Sequence, residues 1–260
     1  MSQGFDLKGS YYSYINKDTI PSVFIHGVGL DHQMWKPQIN SLNEFSTLTY
    51  DLLGHGNSEL KNDEVTLNDF SNQLKSLLDF LNIKKINLIG FSLGSLIAID
   101  FNLKFKEYLD TLTLMGTTYQ RTDEERSKVL DRFEQAKLNK PISRQALKRW
   151  FSDKYLDDNP EIYSEFMNIL NKEPKDHDNF LKAYKLFANH RDDIRSIKKI
   201  ETKTLIMTGS DDPGSTVSMS KSLSKDLVNS KFVEVKNGKH LCSIECADEV
   251  NINLKNFIYN

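Results

Sequence analysis

Short apolar runs alternate with amphipathic stretches over the first 116 residues. Ser22-Val-Phe-Ile25, Thr47-Leu-Thr-Tyr50, Ile86-Asn-Leu-Ile89 and Thr111-Leu-Thr-Leu-Met115 each read as a short buried strand. Between them, Met34 to Leu42 predicts a helix. Leu67, Phe70, Leu74, Leu77, Leu78 and Leu81 fall at helical spacing behind Thr66, a residue suited to cap a helix. An amphipathic helix is expected from Leu93 to about Phe105. At the start, Phe5–Lys8 and Tyr11–Ile15 read as paired strands with Gly9-Ser10 as the turn. Strands alternating with helices predict a mostly parallel sheet covered on both faces, an α/β fold.

At Gly116 the pattern changes. From Thr117 to Lys199 the spacing is helical, with no strand run, and Pro141, Pro160 and Pro174 divide it into three or four helices. Strand patterns return at Lys203-Thr-Leu-Ile-Met207 and Lys231-Phe-Val-Glu-Val235, and a last helix is expected from Cys242 to Ile258. The organisation is one core built from residues 1–116 and 200–260, with a helical segment, 117–199, inserted between two parts of its sheet.

Composition narrows the class. In 260 residues, 38% are hydrophobic and 27% charged, as in a globular chain with a core rather than a disordered one. The net charge of −2 gives no electrostatic case for nucleic acid or an anionic membrane as partner. The opening Met1-Ser-Gln-Gly-Phe-Asp6 has no basic segment followed by an apolar run, so no secretion signal is expected. Cys242 and Cys246, four apart, make a poor disulfide framework. They suit structural thiols in a reducing compartment, so the expected location is cytoplasmic. No metal-ligand cluster or dinucleotide fingerprint is seen, and no cofactor is expected.

The chemistry centres on Gly90-Phe91-Ser92-Leu93-Gly94, a Gly-x-Ser-x-Gly match between a strand and a helix. In such an elbow the serine is held in a strained conformation with its hydroxyl exposed, and side chains at the two glycine positions would clash across the turn. A serine needs a base, and the base needs a carboxylate to fix its tautomer. Each follows a late strand: Gly209-Ser-Asp-Asp-Pro213 offers Asp211 or Asp212, and Lys236-Asn-Gly-Lys-His240 offers His240. The order Ser, Asp, His is the one used by hydrolases with this elbow. Of the other histidines, His26 reads as a brace for its loop and His55 as a hydrogen-bonding residue of its turn. His32, His177 and His190 read as surface or packing residues. An oxyanion hole needs two backbone amides. Leu93, after the nucleophile, is one; Val28, in the glycine-rich loop His26-Gly-Val-Gly29, is the other.

Together these segments resemble the α/β-hydrolase superfamily along nearly the whole chain. The resemblance rests on His26-Gly27-Val28-Gly29 with Trp35, Asp51 through Gly54-His55-Gly56 to Ser58, the elbow, Gly209 to Pro213, and Gly238-Lys239-His240. It implies a catalytic triad of Ser92, Asp212 and His240, since the family's acid lies three residues after the strand-end glycine. It also implies that the insert is a helical cap over the site. The nearest likeness is to 3-oxoadipate enol-lactonase-like proteins and small carboxylesterases. Trp35, Arg149 and Trp150 are then candidates for contact with substrate, and Arg144, Lys148, Arg191 and Arg195 for binding a carboxylate on it.

The expected function is a serine hydrolase cleaving a small carboxylic ester or lactone. Alternatives on the same machinery are a methyl-ester esterase for an acyl-carrier substrate, a carbon–carbon bond hydrolase and a perhydrolase; outside enzymes, a ligand sensor built on the fold.

Overall fold

A computed structural model describes residues 1–138, 144–170 and 174–259. Eight strands form one sheet: β1 (Ser2–Phe5), β2 (Tyr11–Ile15), β3 (Ser22–Ile25), β4 (Thr47–Tyr50), β5 (Ile86–Phe91), β6 (Leu109–Met115), β7 (Thr204–Gly209) and β8 (Ser230–Val235). Their order is β1-β2-β4-β3-β5-β6-β7-β8. The first two pairings are antiparallel and all others parallel. The α/β sheet expected from the sequence is therefore observed. After β3 the chain goes to one side, to β4, and then returns to place β5 on the other side. Loops leaving β3 and β5 diverge at that switch and leave a crevice at the strands' C-terminal ends.

The helices are α1 (Lys36–Ser41), α2 (Leu67–Phe80), α3 (Leu93–Phe105), α4 (Asp123–Lys137), α5 (Arg144–Trp150), α6 (Asp153–Asp158), α7 (Pro160–Leu170), α8 (Pro174–Asn189), α9 (Ile194–Ile197), α10 (Val217–Asp226), α11 (Cys242–Glu245) and α12 (Ala247–Tyr259). Helix α2 starts where Thr66 forecasts. The Thr66 hydroxyl accepts the Asp69 N–H at 3.3 Å, and the Asp69 carboxylate accepts the Thr66 N–H at 2.8 Å. Its apolar stripe, Phe70, Leu74, Leu77 and Leu78, is fully buried.

Several expectations are corrected. Helix α3 is not amphipathic: it is buried on almost every face, from Leu93 to Asn102, because the sheet lies on one side and α2 on the other. Its one acid there, Asp100, is held by the Ser71 hydroxyl at 2.6 Å and by Lys104 at 2.7 Å. Strand β1 ends at Phe5, three residues before the expected Lys8. Asp6 turns the chain there by accepting the N–H groups of Lys8 and Ser10 at 2.9 and 2.8 Å. The last helix is broken at Cys246 (φ −119°, ψ 41°) into α11 and α12. Helix α10 has no counterpart in the sequence expectations, since Val217, Met219 and Leu223 are too sparse an apolar pattern to announce it.

Between β6 and β7 every described element is helical, α4 to α9. Pro160 and Pro174 open α7 and α8, as expected of proline at a first helical position. Pro141 lies outside the described residues. Phe151, fully buried, stacks on Tyr155 at 5.3 Å and meets Phe166 edge-on at 5.1 Å, fixing α5, α6 and α7 to one another.

The start of α3 fits only because Gly94 has no side chain. A Cβ there would strike the carbonyl oxygen of Ile25 and lie 2.7 Å from that of His26, both backbone atoms that cannot swing aside. We expect Gly94→Ala to cost more than about 2 kcal/mol in urea unfolding, at the upper end of single substitutions. A loss under about 0.5 kcal/mol would show that α3 can slide away from β3 freely.

Candidate active site

Six parallel strands end at the C-terminal edge of the sheet, and the expected catalytic residues follow four of them, β3, β5, β7 and β8. Ser92 joins β5 to α3 with φ 54° and ψ −114°, a left-handed value that a non-glycine residue adopts only under constraint. The constraint is visible. The Ser92 N–H donates to Met115 O at 2.9 Å, and Ser95 N–H donates back to Ser92 O at 3.0 Å. The buried Ser95 hydroxyl lies 2.7 Å from Gly90 O and accepts the Met115 N–H at 3.2 Å, so it stitches elbow to β6. Leu93 supplies the first amide of α3, at the positive end of that helix. The loop after β3 lies against the serine: a Cβ on Gly27 would be 3.3 Å from Ser92 Cβ. Val28, the other expected amide donor, is the next residue on that loop.

Asp212 and His240 are brought together. The Asp212 side chain is 1% exposed, and its Oδ2 accepts from His240 Nδ1 at 2.6 Å. Its Oδ1 accepts the N–H groups of Gly214 and Ser215 at 2.8 and 2.9 Å. Asp211 instead faces solvent and bonds its neighbour Ser210. That separates the two candidates left open by the turn residues. The loops after β7 and β8 touch backbone to backbone: Asp211 N–H donates to Gly238 O at 2.9 Å, and a Cβ on Gly209 would strike that same carbonyl. With Nδ1 donating to the carboxylate, the lone pair of neutral His240 is on Nε2. The His240 ring lies on Phe91, centroids 4.8 Å apart, which places it beside the residue preceding Ser92. That contact is the link between the two; among the described residues no hydrogen bond joins Ser92 Oγ to His240 within 3.5 Å.

The remaining candidates scatter. Trp35 is fully buried between Phe24 (5.0 Å) and Phe91 (6.5 Å), so it packs beneath the elbow and does not reach a substrate. Trp150, half-buried, gives its carbonyl to Leu241 N–H at 3.0 Å and packs edge-on against Phe166. Arg149 beside it is exposed; partial burial of its guanidinium and the nearby Arg132 lower its pKa, against the opposing influence of Tyr184. Lys148 pairs with Asp153 at 2.9 Å, and Arg191 and Arg195 are exposed. The side chain of Arg144 lies outside the described residues.

Two features escaped the sequence reading. Arg121 is buried where the chain passes from β6 to α4, and burial pushes its pKa down to about 10. It bonds Phe187 O and the Thr118 hydroxyl, its Nε has no hydrogen-bond partner among the described residues, and Asp192 is the strongest charge acting on it, ahead of Arg126, Arg132 and Tyr184. The second is an ion pair. His32, expected at the surface, bonds Asp51, whose side chain is fully buried, at 2.7 Å through Nδ1. Only the position of Asp51 at a strand end, before a glycine-rich turn, hinted at a role. Cys242 is buried with its pKa raised by burial, and burial pushes Cys246 up to about 11, so neither is poised as a thiolate. Among the described residues no group of three or more His, Cys, Asp or Glu side chains could hold a metal ion. No described helix is long and apolar enough to cross a membrane.

The sequence model of the alpha/beta hydrolase fold matches residues 23–246, which include every element of this edge. The chain belongs to that family. Among curated relatives of this alpha/beta hydrolase is the (E)-2-((N-methylformamido)methylene)succinate hydrolase of Acinetobacter baylyi. It is 27% identical over 239 residues, covering 89% of this chain and 87% of the relative. The 3-oxoadipate enol-lactonase 1 of the same organism is 28% identical over 225 residues, covering 86% and 82%. The crystal structure of an enol-lactonase from Burkholderia xenovorans superposes with a TM-score of 0.87 at 21% identity, covering 96% of both chains. The fold, the family and these named hydrolases make the protein an enzyme of the hydrolase class.

The Asp51–His32 pair has a pH signature. Burial raises the Asp51 pKa, but the bond and charge of His32 outweigh it and leave the carboxyl below its ordinary 3.8. For His32 burial lowers, and Asp51 outweighs it, leaving the ring above its ordinary 6.5. The stabilisation from Asp51 is present above pH 3.8 and lost as pH falls through its lower folded value; that from His32 is present below pH 6.5 and lost as pH rises through its higher folded value. The stability difference between wild type and His32→Asn should therefore be largest from about pH 4 to about pH 6.5 and shrink on both sides. Urea unfolding across pH checks this, and a difference that keeps growing above neutral pH would contradict it.

Proposed function

We propose that the protein is a serine hydrolase of small carboxylic esters or lactones, working through a covalent acyl-enzyme. The observation that carries this is the joint placement of a strained Ser92 at the elbow and an Asp212–His240 pair bonded at 2.6 Å beside it. In this reading the Ser92 oxygen attacks the carbonyl carbon while His240 Nε2 takes its proton. Asp212 holds the ring in the required tautomer and stabilises its charged form. The amides of Val28 and Leu93 receive the oxyanion. His240 then hands the proton to the leaving alkoxide, and water, deprotonated by the same nitrogen, releases the acid and restores Ser92. No metal enters these steps. The segment 117–199 acts as the cap, and its α5 end sits over the His240 loop through Leu241 N–H to Trp150 O and Lys239 Nζ to Lys148 O, 2.7 Å.

The substrate in this proposal bears a carboxylate. Arg121 and Arg149 both feel Arg132 and Tyr184, and among the described residues none of the three arginines makes an ion pair within 4.0 Å. Arg121 has Asp192 as its strongest opposing charge and two hydrogen bonds, but three like charges drawn towards one another still favour an anion. Arg149 precedes Trp150, whose carbonyl holds the His240 loop through the Leu241 N–H. The relatives named for a succinate and a 3-oxoadipate enol-lactone agree with this choice.

A fluorophosphonate probe should label Ser92, and Ser92→Ala should lose about 10⁴-fold or more in kcat on p-nitrophenyl butyrate. Asp212→Asn should lose far more activity than Asp211→Asn. Label found by mass spectrometry on another residue of folded protein would remove Ser92 from the role.

Arg149→Gln should raise KM for mono-p-nitrophenyl succinate by about 10- to 100-fold, as expected for a lost bond to a charged group, and leave p-nitrophenyl butyrate nearly untouched. Equal effects on the two esters would argue against a carboxylate at this cluster.

A further inference from the structure

The loop that carries Val28 is fastened at both ends to two adjacent residues. At its start, His26 is fully buried, with Nδ1 2.8 Å from Gly27 O, and its Nε2 accepts the Leu52 N–H at 3.0 Å. A ring whose Nε2 accepts a hydrogen bond carries its proton on Nδ1, so His26 is neutral, and burial also lowers its pKa. At the loop's end, His32 gives Asp51 Oδ1 two bonds, from its backbone N–H at 2.8 Å and from Nδ1 at 2.7 Å. Asp51 Oδ2 accepts the Asn57 N–H at 2.9 Å and its side-chain amide at 3.3 Å. Residues 27–31 therefore span from one histidine to the other, and both histidines hang on Asp51-Leu52 at the end of β4.

We propose that His32, through its bond to Asp51, is a positioning residue that sets where the Val28 amide stands relative to Ser92. The inference rests on the serine-hydrolase reading above and adds to it a residue remote from the reacting atoms. Its force comes from distances. The loop is short, its turn at Gly29 (φ 80°) has one internal bond, Leu30 N–H to Gly27 O at 3.2 Å, and its Gly27 already touches Ser92. An oxyanion donor works within a window of about 0.4 Å, so a loop loosened at one end, held there by the His32 backbone N–H alone, loses the transition state before it loses the substrate. Burial lowers the His32 pKa, but the bond and charge of Asp51 outweigh it and leave the ring above its ordinary value. Asp51 and Asp31 favour the charged ring, Lys36 opposes it, and Tyr11 packs on its face at 5.1 Å.

The test compares His32→Ala, His32→Gln and His32→Asn in the full chain. Asparagine places an N–H donor near the position of Nδ1; alanine has none, and glutamine carries its own one bond too far. Alanine and glutamine should lower kcat on p-nitrophenyl butyrate by about 10- to 100-fold, less than deletion of a whole oxyanion donor, while KM stays within about twofold. Asparagine should recover activity to within about threefold of wild type. A trifluoromethyl ketone, which forms a tetrahedral adduct with the serine, should weaken by the same factor as kcat. Amide exchange in residues 26–32 should quicken in the alanine and glutamine variants and stay slow in the asparagine variant. Folded variants with unchanged kcat, or with the whole loss in KM, would overturn the proposal, as would asparagine behaving like alanine. If wild type turns over no ester, the serine reading fails by itself, and loop exchange unchanged by alanine and glutamine then overturns the brace as well.

Discussion

Backbone packed directly on backbone holds the functional edge of this protein together. Gly94 brings the start of α3 against the carbonyls at the end of β3, and Gly209 brings the loop after β7 against the carbonyl of Gly238 after β8. Backbone atoms have no rotamers, so such contacts leave little freedom to settle differently. The apolar core beneath, with Trp35 in ring contact with both Phe24 and Phe91, presses the same strand ends from below. The strain at Ser92 is sustained because its neighbours on β6 and α3 hold both of its peptide groups.

One chemical device is used twice on this frame. His240 with Asp212 and His32 with Asp51 are both histidines bonded through Nδ1 to a sealed carboxylate, at 2.6 and 2.7 Å, and both rings are about one-sixth exposed, 17% and 18%. What differs is the opposite face of each ring. His240 lies on Phe91 next to the elbow serine, whereas His32 lies on Tyr11 of a peripheral strand. In the proposed reading the same pairing serves proton transfer in one place and attachment in the other. The distinction belongs to the surroundings rather than to the pair.

The parallel strands and the strand–serine–helix joint at Ser92 were legible in the sequence because each depends on neighbours close along the chain, whereas Asp212 was preferred to Asp211 only through the family resemblance. Buried strands announce themselves as apolar runs, and the elbow depends on glycines two positions from the serine. What the sequence could not convey depends on residues far apart along it. Trp35 sits in a motif beside the first loop, yet its burial is decided by Phe24 and Phe91. His32 looked exposed because Asp51, its partner, is 19 residues away on another strand end. Arg121 and Arg149 come near a common arginine, Arg132, only after α4, α5 and α8 are packed. Helix α3 defied its expected amphipathic character because two layers, rather than one, cover it.

The grip of the helical insert on the chain falls at an uneven place. Its α5 end holds the loop on either side of His240, through Leu241 N–H to Trp150 O and Lys239 Nζ to Lys148 O, and Glu245 reaches both Ser152 N–H at 3.0 Å and Lys239 N–H at 3.2 Å. Ser92, by contrast, is fixed by β6 and α3, and the loop of Val28 by β4. A displacement of the insert would therefore pull on the His240 loop and spare Ser92 and the loop of Val28. On the serine-hydrolase proposal, breathing of the insert would modulate the timing of proton transfer while the electrophile's seat stays in place.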